Sequence, residues 1–425
     1  CTYKYLVNAV KEGLIEESTI DQSVARLLKT RFKLGMFDPP ESVPYTTISQ
    51  DVINCDEHRQ LAREAAAKSI VLLKNSNNLL PLKLNAYKKI LVVGPNAANL
   101  QVLLGNYYGL SKRFVTVLEG IIARSQEGTT IGYRQGCLLV RENSDPLNWS
   151  LFEAKEADLI IAVFGLDSSL EGEEGDAIGS AEKGDRSTIG LPQWQEDFLQ
   201  TLKATGTPMV LILAGGSPIA IPEDIADAML FIWYPGEEGG HAVADILFGE
   251  VSPSGKLPIT FPKSVDQLPP YEEYAMKGRT YRYATEEPVF PFGFGLSYTQ
   301  FAYHSLRLTA TTIKKGDCLE VEVSVTNTGD RDAEEVVQLY LSDLEASVET
   351  PQQALKGFKR VFIKAQETKQ LTFTITPEMM ELVDHDGQRF IETGEFRVTI
   401  GGSSPGKRSE ALGAPKPVSA LFTVR

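Results

Sequence analysis

The sequence predicts an α/β layered domain followed by an all-β sandwich. Two changes of pattern along its 425 residues carry that prediction. Between residues 51 and 264, short apolar runs alternate with helical stretches, the order of a mostly parallel sheet covered on both faces. From about residue 304 the apolar period becomes two, as in antiparallel strands with one buried face. Hydrophobic residues make up 42% and charged residues 23%, so the chain builds packed cores and is not disordered.

The elements follow in order. Residues 1–50 hold two helical patterns, at 5–12 and 19–34, then an irregular stretch after Asp38-Pro39-Pro40. Thr19 and Asp21 are the N-cap candidates of the second helix, and Gly35 is its expected stop. Val24, Leu27, Leu28 and Phe32 share one face of that helix. Two helices cannot bury such a face alone, so they are expected to dock on a further body. The chain opens at Cys1 without Met or a signal peptide, as expected of a piece cut from a longer sequence.

An Ala-rich helix is expected over residues 57–74. About six strands are expected at 90–93, 129–133, 159–164, 209–213, 229–233 and 257–261, with helices near 116–124, 147–156, 192–204 and 239–248. Residues 265–303 lack periodicity but are rich in Tyr and Phe, which predicts a linker packed along a surface. In residues 304–425, Leu319, Val321, Val323 and Val325 alternate with polar residues, as do Leu371, Phe373 and Ile375. Turn signals at Asn327-Thr328-Gly329-Asp330 and Asp384-His385-Asp386-Gly387 complete the sandwich pattern.

Charge and composition exclude several function classes. The net charge of −14, from 42 basic and 56 acidic side chains, argues against nucleic acid or an anionic membrane as partner. No apolar run reaches the roughly 18 residues of a membrane span. Cys1, Cys55, Cys137 and Cys318 are dispersed and form no C-x-x-C pair. His58, His241, His304 and His385 are scattered too, with no metal pair at helical spacing.

The chemistry concentrates in Leu170-Glu171-Gly172-Glu173-Glu174-Gly175-Asp176. This loop follows the apolar run at 159–164, at the strand end where open α/β sheets bind ligands. Crowded carboxylates disfavour ionisation, so at least one is suited to act as a general acid. The same residues read equally as a solvated surface loop. From Gly165 to Leu191 the connection runs about 26 residues, and loops that long are usually functional or disordered.

Other motifs fail. Val92-Val93-Gly94-Pro95-Asn96 lacks the G-x-G-x-x-G spacing and reads as a structural turn. Residues 249–256 miss the P-loop spacing, and Gly215-Gly216-Ser217-Pro218-Ile219 lacks the closing glycine of a nucleophile elbow. Residues 171–182 have the length of a calcium loop, but Asp176 stands where that turn needs Gly. Asn148-Trp149-Ser150 is a glycosylation sequon.

Several stretches together resemble glycoside hydrolase family 3. They are Ala62-Arg63-Glu64-Ala65-Ala66-Ala67-Lys68-Ser69-Ile70-Val71-Leu72-Leu73-Lys74-Asn75, Trp233-Tyr234-Pro235-Gly236-Glu237-Glu238-Gly239-Gly240, Gly255-Lys256-Leu257-Pro258 and Pro291-Phe292-Gly293-Phe294-Gly295-Leu296-Ser297-Tyr298. The resemblance implies residues 1–50 as terminal barrel helices and linker, 51–264 as an α/β sandwich carrying the acid/base loop, 265–303 as linker and 304–425 as a fibronectin type III-like domain. An N-terminal (β/α)8 barrel would be the missing partner and would supply an Asp nucleophile, so no nucleophile is assigned here.

The family's retaining mechanism pairs that nucleophile with an acid/base Glu. Glu173 is the best match, Glu174 the runner-up and Glu171 the third. Glu171, Glu174 and Asp176 would raise the pKa of Glu173, and Asp185-Arg186 would anchor the loop, with an exposed surface pair as the alternative. No cofactor is implied.

Tyr274-Ala275-Met276-Lys277-Gly278-Arg279-Thr280-Tyr281-Arg282-Tyr283 resembles the β-xylosidase branch, with β-glucosidase as the alternative. The expected substrate is an oligosaccharide with a terminal β-linked sugar. The resemblance favours the periplasm or the exterior over the cytoplasm. A rival reading is a non-catalytic carbohydrate-binding or scaffolding protein without a barrel. It requires a polar surface on residues 5–34, against which the four apolar side chains speak.

Overall fold

The computed structural model describes residues 2–142, 149–173, 175, 177–180 and 186–425. It divides into a unit of residues 1–58 and a unit of residues 59–425. In the first, helices α1 (Leu6–Lys11) and α2 (Glu17–Lys33) follow the expected pattern. Glu16 holds the N-cap position of α2, without a side-chain cap, in place of Thr19 or Asp21. Gly35 takes the left-handed conformation that ends the helix, at φ +68°. Val24, Leu27, Leu28 and Phe32 remain exposed.

Helix α3 (Asp56–Ser69) leads into strands β1 (Val71–Asn75), β2 (Lys89–Val93), β3 (Thr130–Arg134), β4 (Leu159–Gly165), β5 (Met209–Ala214) and β6 (Ala228–Phe231). They form one sheet in the order β1-β6-β5-β4-β2-β3, parallel except for β1 against β6. Six strands are present, but two assignments change. The helix expected to reach residue 74 stops at Ser69, because Ile70-Val71-Leu72-Leu73 is buried and Val71–Asn75 pairs as an edge strand.

Residues 257–261 are not a strand of this sheet. Pro258 lacks an N–H for a ladder, and the segment instead bonds to the linker. Leu257 N–H donates to the Phe294 carbonyl, and Phe261 N–H to that of Phe290, each at 2.9 Å.

The crossovers carry helices α4 (Gln101–Leu104), α5 (Val117–Ile122), α6 (Trp149–Glu156), α7 (Ser168–Glu171), α8 (Gln193–Lys203) and α9 (Gly239–Leu247). Apolar cores fill both faces of the sheet. Helices α5 and α9 cross backbone on backbone. A Cβ added at Gly240 would lie 1.9 Å from the Thr116 carbonyl, and one at Gly120 1.9 Å from the Gly240 carbonyl. The contact gives the closing glycine of the Trp-Tyr-Pro-Gly-Glu-Glu-Gly-Gly stretch a steric reason. Charge ties the same helix to α3, since Arg63 and Arg124 both pair with buried Asp245 at 2.5 Å.

The linker is ordered by its aromatics. Phe290 and Phe294 are buried, and Tyr281 stacks on Phe292 with ring centres 4.0 Å apart. The sandwich contains a five-stranded and a three-stranded sheet, and the long strand Leu319–Asn327 alternates buried and half-buried residues as expected. Glu335 of the sandwich is buried 3.2 Å from Lys256 of the α/β domain, and Arg360 donates to Ser254 Oγ at 2.6 Å.

Two outcomes are expected. Gly240→Ala should lower stability by about 1–3 kcal/mol, the usual cost of forcing a packed core apart, read as a fall in the urea midpoint. Glu335 lies above its ordinary value of 4.5 because burial outweighs the Lys256 charge. The folded state therefore holds that proton more tightly than the unfolded chain, and stability falls as pH rises above that value. Urea titrations across pH should show the wild type losing stability relative to Glu335→Gln as pH climbs. A pH-independent difference would contradict the assignment.

Candidate functional site

Strand β4 sets the site's origin. All seven of its residues are buried between β2 and β5. At its carboxyl end, Gly165 takes φ +135°, and a Cβ there would lie 2.0 Å from the Ala214 carbonyl. Gln195 of α8, wholly buried, seals this end by accepting from Gly165 N–H at 3.2 Å and donating to its carbonyl at 3.0 Å. The chain leaves β4 in one fixed direction.

Asp167 starts helix α7. Its carboxylate accepts from the Ser169 N–H at 2.9 Å and hydroxyl at 2.5 Å, and from Asn99 Nδ2 at 3.0 Å. Asn96 Nδ2 donates to the Leu166 carbonyl at 3.2 Å. The turn after β2 therefore braces the loop after β4.

Glu171 ends α7 with its side chain only 9% exposed. Its Oε1 accepts from the Tyr234 hydroxyl at 2.5 Å and from the Gly216 N–H. Its Oε2 accepts from Ser217 Oγ at 2.5 Å and lies 3.6 Å from Arg186 Nη1. Arg186 also donates to Ser217 Oγ at 2.7 Å and to the carbonyls of Pro218 and Gly190 at 3.1 and 2.8 Å. Glu171, Arg186, Gly216, Ser217, Pro218 and Tyr234 line a cleft of about 540 Å³ with Asn106 and Ile189. Burial, and next the Glu171 charge, push the Tyr234 phenol far above its ordinary value, so it stays a donor. Burial pulls Arg186 down, and Glu171 offsets part of that.

Glu173 lies two residues on, exposed, its carbonyl accepting from Ala177 N–H at 3.2 Å. Glu174, Asp176 and Asp185 lie outside the described residues, as does Asn148 of the sequon. The structure therefore separates the carboxylates it describes. Glu171 points into a set of donors, whereas Glu173 faces solvent. Of the Asp185-Arg186 pair, Arg186 is described, and it bonds to Ser217, Pro218 and Gly190. Tyr234 and Ser217 carry no functional signal in the sequence, although Tyr234 lies in the Trp-Tyr-Pro-Gly stretch and Ser217 in the Gly-Gly-Ser-Pro-Ile turn.

A second cleft of about 580 Å³ runs past Lys74 and Glu335 between the α/β domain and the sandwich. Lys74 there is engaged by the carbonyls of Glu223 and Ala226. That space is a domain seam in which Lys74 and Glu335 each already have partners. Among the described residues, no three His, Cys, Asp or Glu side chains gather as a metal site.

Residues 70–298 match the glycosyl hydrolase family 3 C-terminal domain, and residues 335–404 a fibronectin type III-like domain. The chain belongs to glycoside hydrolase family 3. This family 3 chain is 36% identical over 419 residues to a β-xylosidase of Formosa agariphila, covering 94% of the chain and 56% of that protein. It is 35% identical over 441 residues to a periplasmic β-glucosidase of Salmonella typhimurium, with the same coverage. A β-glucosidase structure from Erythrobacter marinus superposes with a TM-score of 0.84 at 34% identity, over 99% of the chain and 57% of that protein. The chain thus spans little more than half the length of these relatives.

Proposed function

We propose that this chain is the C-terminal portion of a retaining, exo-acting β-glycosidase that releases terminal β-linked sugars from oligosaccharides, and that Glu173 is its acid/base. The carrying observation is the exposed position of Glu173 on a loop anchored at the carboxyl end of the central strand. In this reading Glu173 protonates the departing glycosidic oxygen. It then takes a proton from the water that frees the sugar from a covalent intermediate. The nucleophile would come from a barrel domain, for which the exposed face of α2 offers a docking surface.

Xylose is the preferred sugar in this proposal. The Formosa relative is a β-xylosidase, and the segment from Tyr274 to Tyr283 resembles that branch. The glucosidase alternative draws support from the β-glucosidase structures it superposes on. The periplasmic name of the Salmonella relative supports placing the protein in the periplasm or outside the cell.

The test uses a protein that includes the barrel. Glu173→Ala should slow turnover of substrates with poor leaving groups by about 10²–10⁴-fold. Activated aryl glycosides should lose less, and azide should restore activity. Normal turnover of poor leaving groups would overturn the assignment. Comparing kcat/KM on aryl β-xyloside and aryl β-glucoside decides the sugar.

A further inference from the structure

We propose that Ser217 is a buckle, closing the two ends of the Glu173 loop through Glu171 and Arg186, and that Glu171 is a positioning residue and not a proton donor. The catalytic consequence rests on the function proposed above, whereas the buckle itself stands on geometry alone.

One hydroxyl serves both loop ends. Ser217 Oγ donates to Glu171 Oε2 at 2.5 Å and accepts from Arg186 Nη1 at 2.7 Å. Glu171 and Arg186 bracket the segment that contains Glu173. Ser217 sits in the connection between β5 and β6, so the buckle fastens the loop to the sheet. Bringing the ends of such a segment together costs entropy that grows only slowly with length. A few charge-assisted hydrogen bonds suffice to offset it.

The acceptor sites of Glu171 are largely occupied. Both oxygens accept hydrogen bonds, from Tyr234, Gly216 and Ser217, and Asn106 Nδ2 adds a contact to its carbonyl at 3.4 Å. A carboxylate so engaged must release donors before it can face a leaving group, which is the geometric requirement for a general acid.

A strained residue supports the same assignment. Trp233, just before Tyr234, has φ +57°, a left-handed conformation that aromatic residues rarely adopt. Its indole N–H donates to the Ser69 carbonyl at 3.1 Å, and its ring meets Phe231 edge-on at 4.7 Å. Strain of this kind persists where the surroundings enforce it, and it clusters at functional sites. Here it lies at the turn that delivers the Tyr234 hydroxyl to Glu171.

The first test needs only the 425-residue chain. Amide exchange at Ala177 and Gly179, whose N–H groups bond to the carbonyls of Glu173 and Ser169, reads loop order directly. Ser217→Ala and Glu171→Gln should each speed that exchange at least about tenfold, the factor expected from losing a hydrogen bond to a charged group. Exchange in β4 should not change, which controls for global unfolding. Ser217→Thr keeps the hydroxyl and should restore protection.

Unchanged exchange at Ala177 and Gly179 in Ser217→Ala would overturn the buckle, whatever Glu173 does. Should Glu171→Gln fail to fold, the serine pair carries the same test. In a barrel-containing protein, Glu171→Gln and Ser217→Ala should lower kcat for poor leaving groups about 10–100-fold through misplacement, without rescue by azide. Azide rescue of Glu171→Ala would make Glu171 the acid and end the positioning assignment. A loosened loop alongside normal turnover in Glu173→Ala would leave the buckle standing and refute only the acid/base role.

Discussion

The site depends on a strand with no exposed residue. Because β4 is buried along its whole length between two parallel neighbours, its path is fixed by the ladder and by cores on both faces. A loop that leaves such a strand starts from a rigid point. Gly165 permits the close approach to the Ala214 carbonyl, and Gln195 engages both backbone groups of that glycine. Polar groups otherwise orphaned at the strand end are thereby satisfied, as burial demands.

The same economy explains sequence stretches that look like mere signatures. In Trp-Tyr-Pro-Gly-Glu-Glu-Gly-Gly, Trp233 turns the chain, Tyr234 holds Glu171, Glu238 pairs with Arg59 of α3, and Gly240 lets α9 meet α5. In Gly-Lys-Leu-Pro, Lys256 reaches the Gly295 carbonyl at 2.7 Å and Glu335 of the sandwich. Each stretch therefore joins elements far apart in the chain. Breaking one partner of such buried pairs costs more than the pair contributes, because the remaining charge has no water to turn to.

The fold was legible because periodicity reports burial. The run at residues 159–164 and the alternation from Leu319 to Val325 appear as β4 and as a half-buried strand. The errors came where burial and chain direction part company. No Gly or Pro separates α3 from β1, so the edge strand read as more helix. The run at 257–261 buries Leu257 and Phe261, but it bonds to the linker and not to the sheet. The acidic loop stood out from its composition, and Arg186 with it, while Ser217 and Tyr234 did not. Ser217 and Tyr234 lie 46 and 63 residues from Glu171 and meet it only once the sheet assembles. Local sequence holds no trace of that meeting.

Together these features describe a loop whose ends are held by Glu171, Ser217 and Arg186 while Glu173 stays exposed; in the proposed function that carboxylate is presented to a barrel domain. The most direct test is a crystal structure of the barrel-containing protein bound to a non-hydrolysable thioglycoside. The expected result places a Glu173 oxygen within about 2.6–3.2 Å of the interglycosidic sulfur, with Glu171 still held by Tyr234 and Ser217. A different carboxylate at that sulfur, or Glu171 released from its donors to reach it, would contradict the assignment.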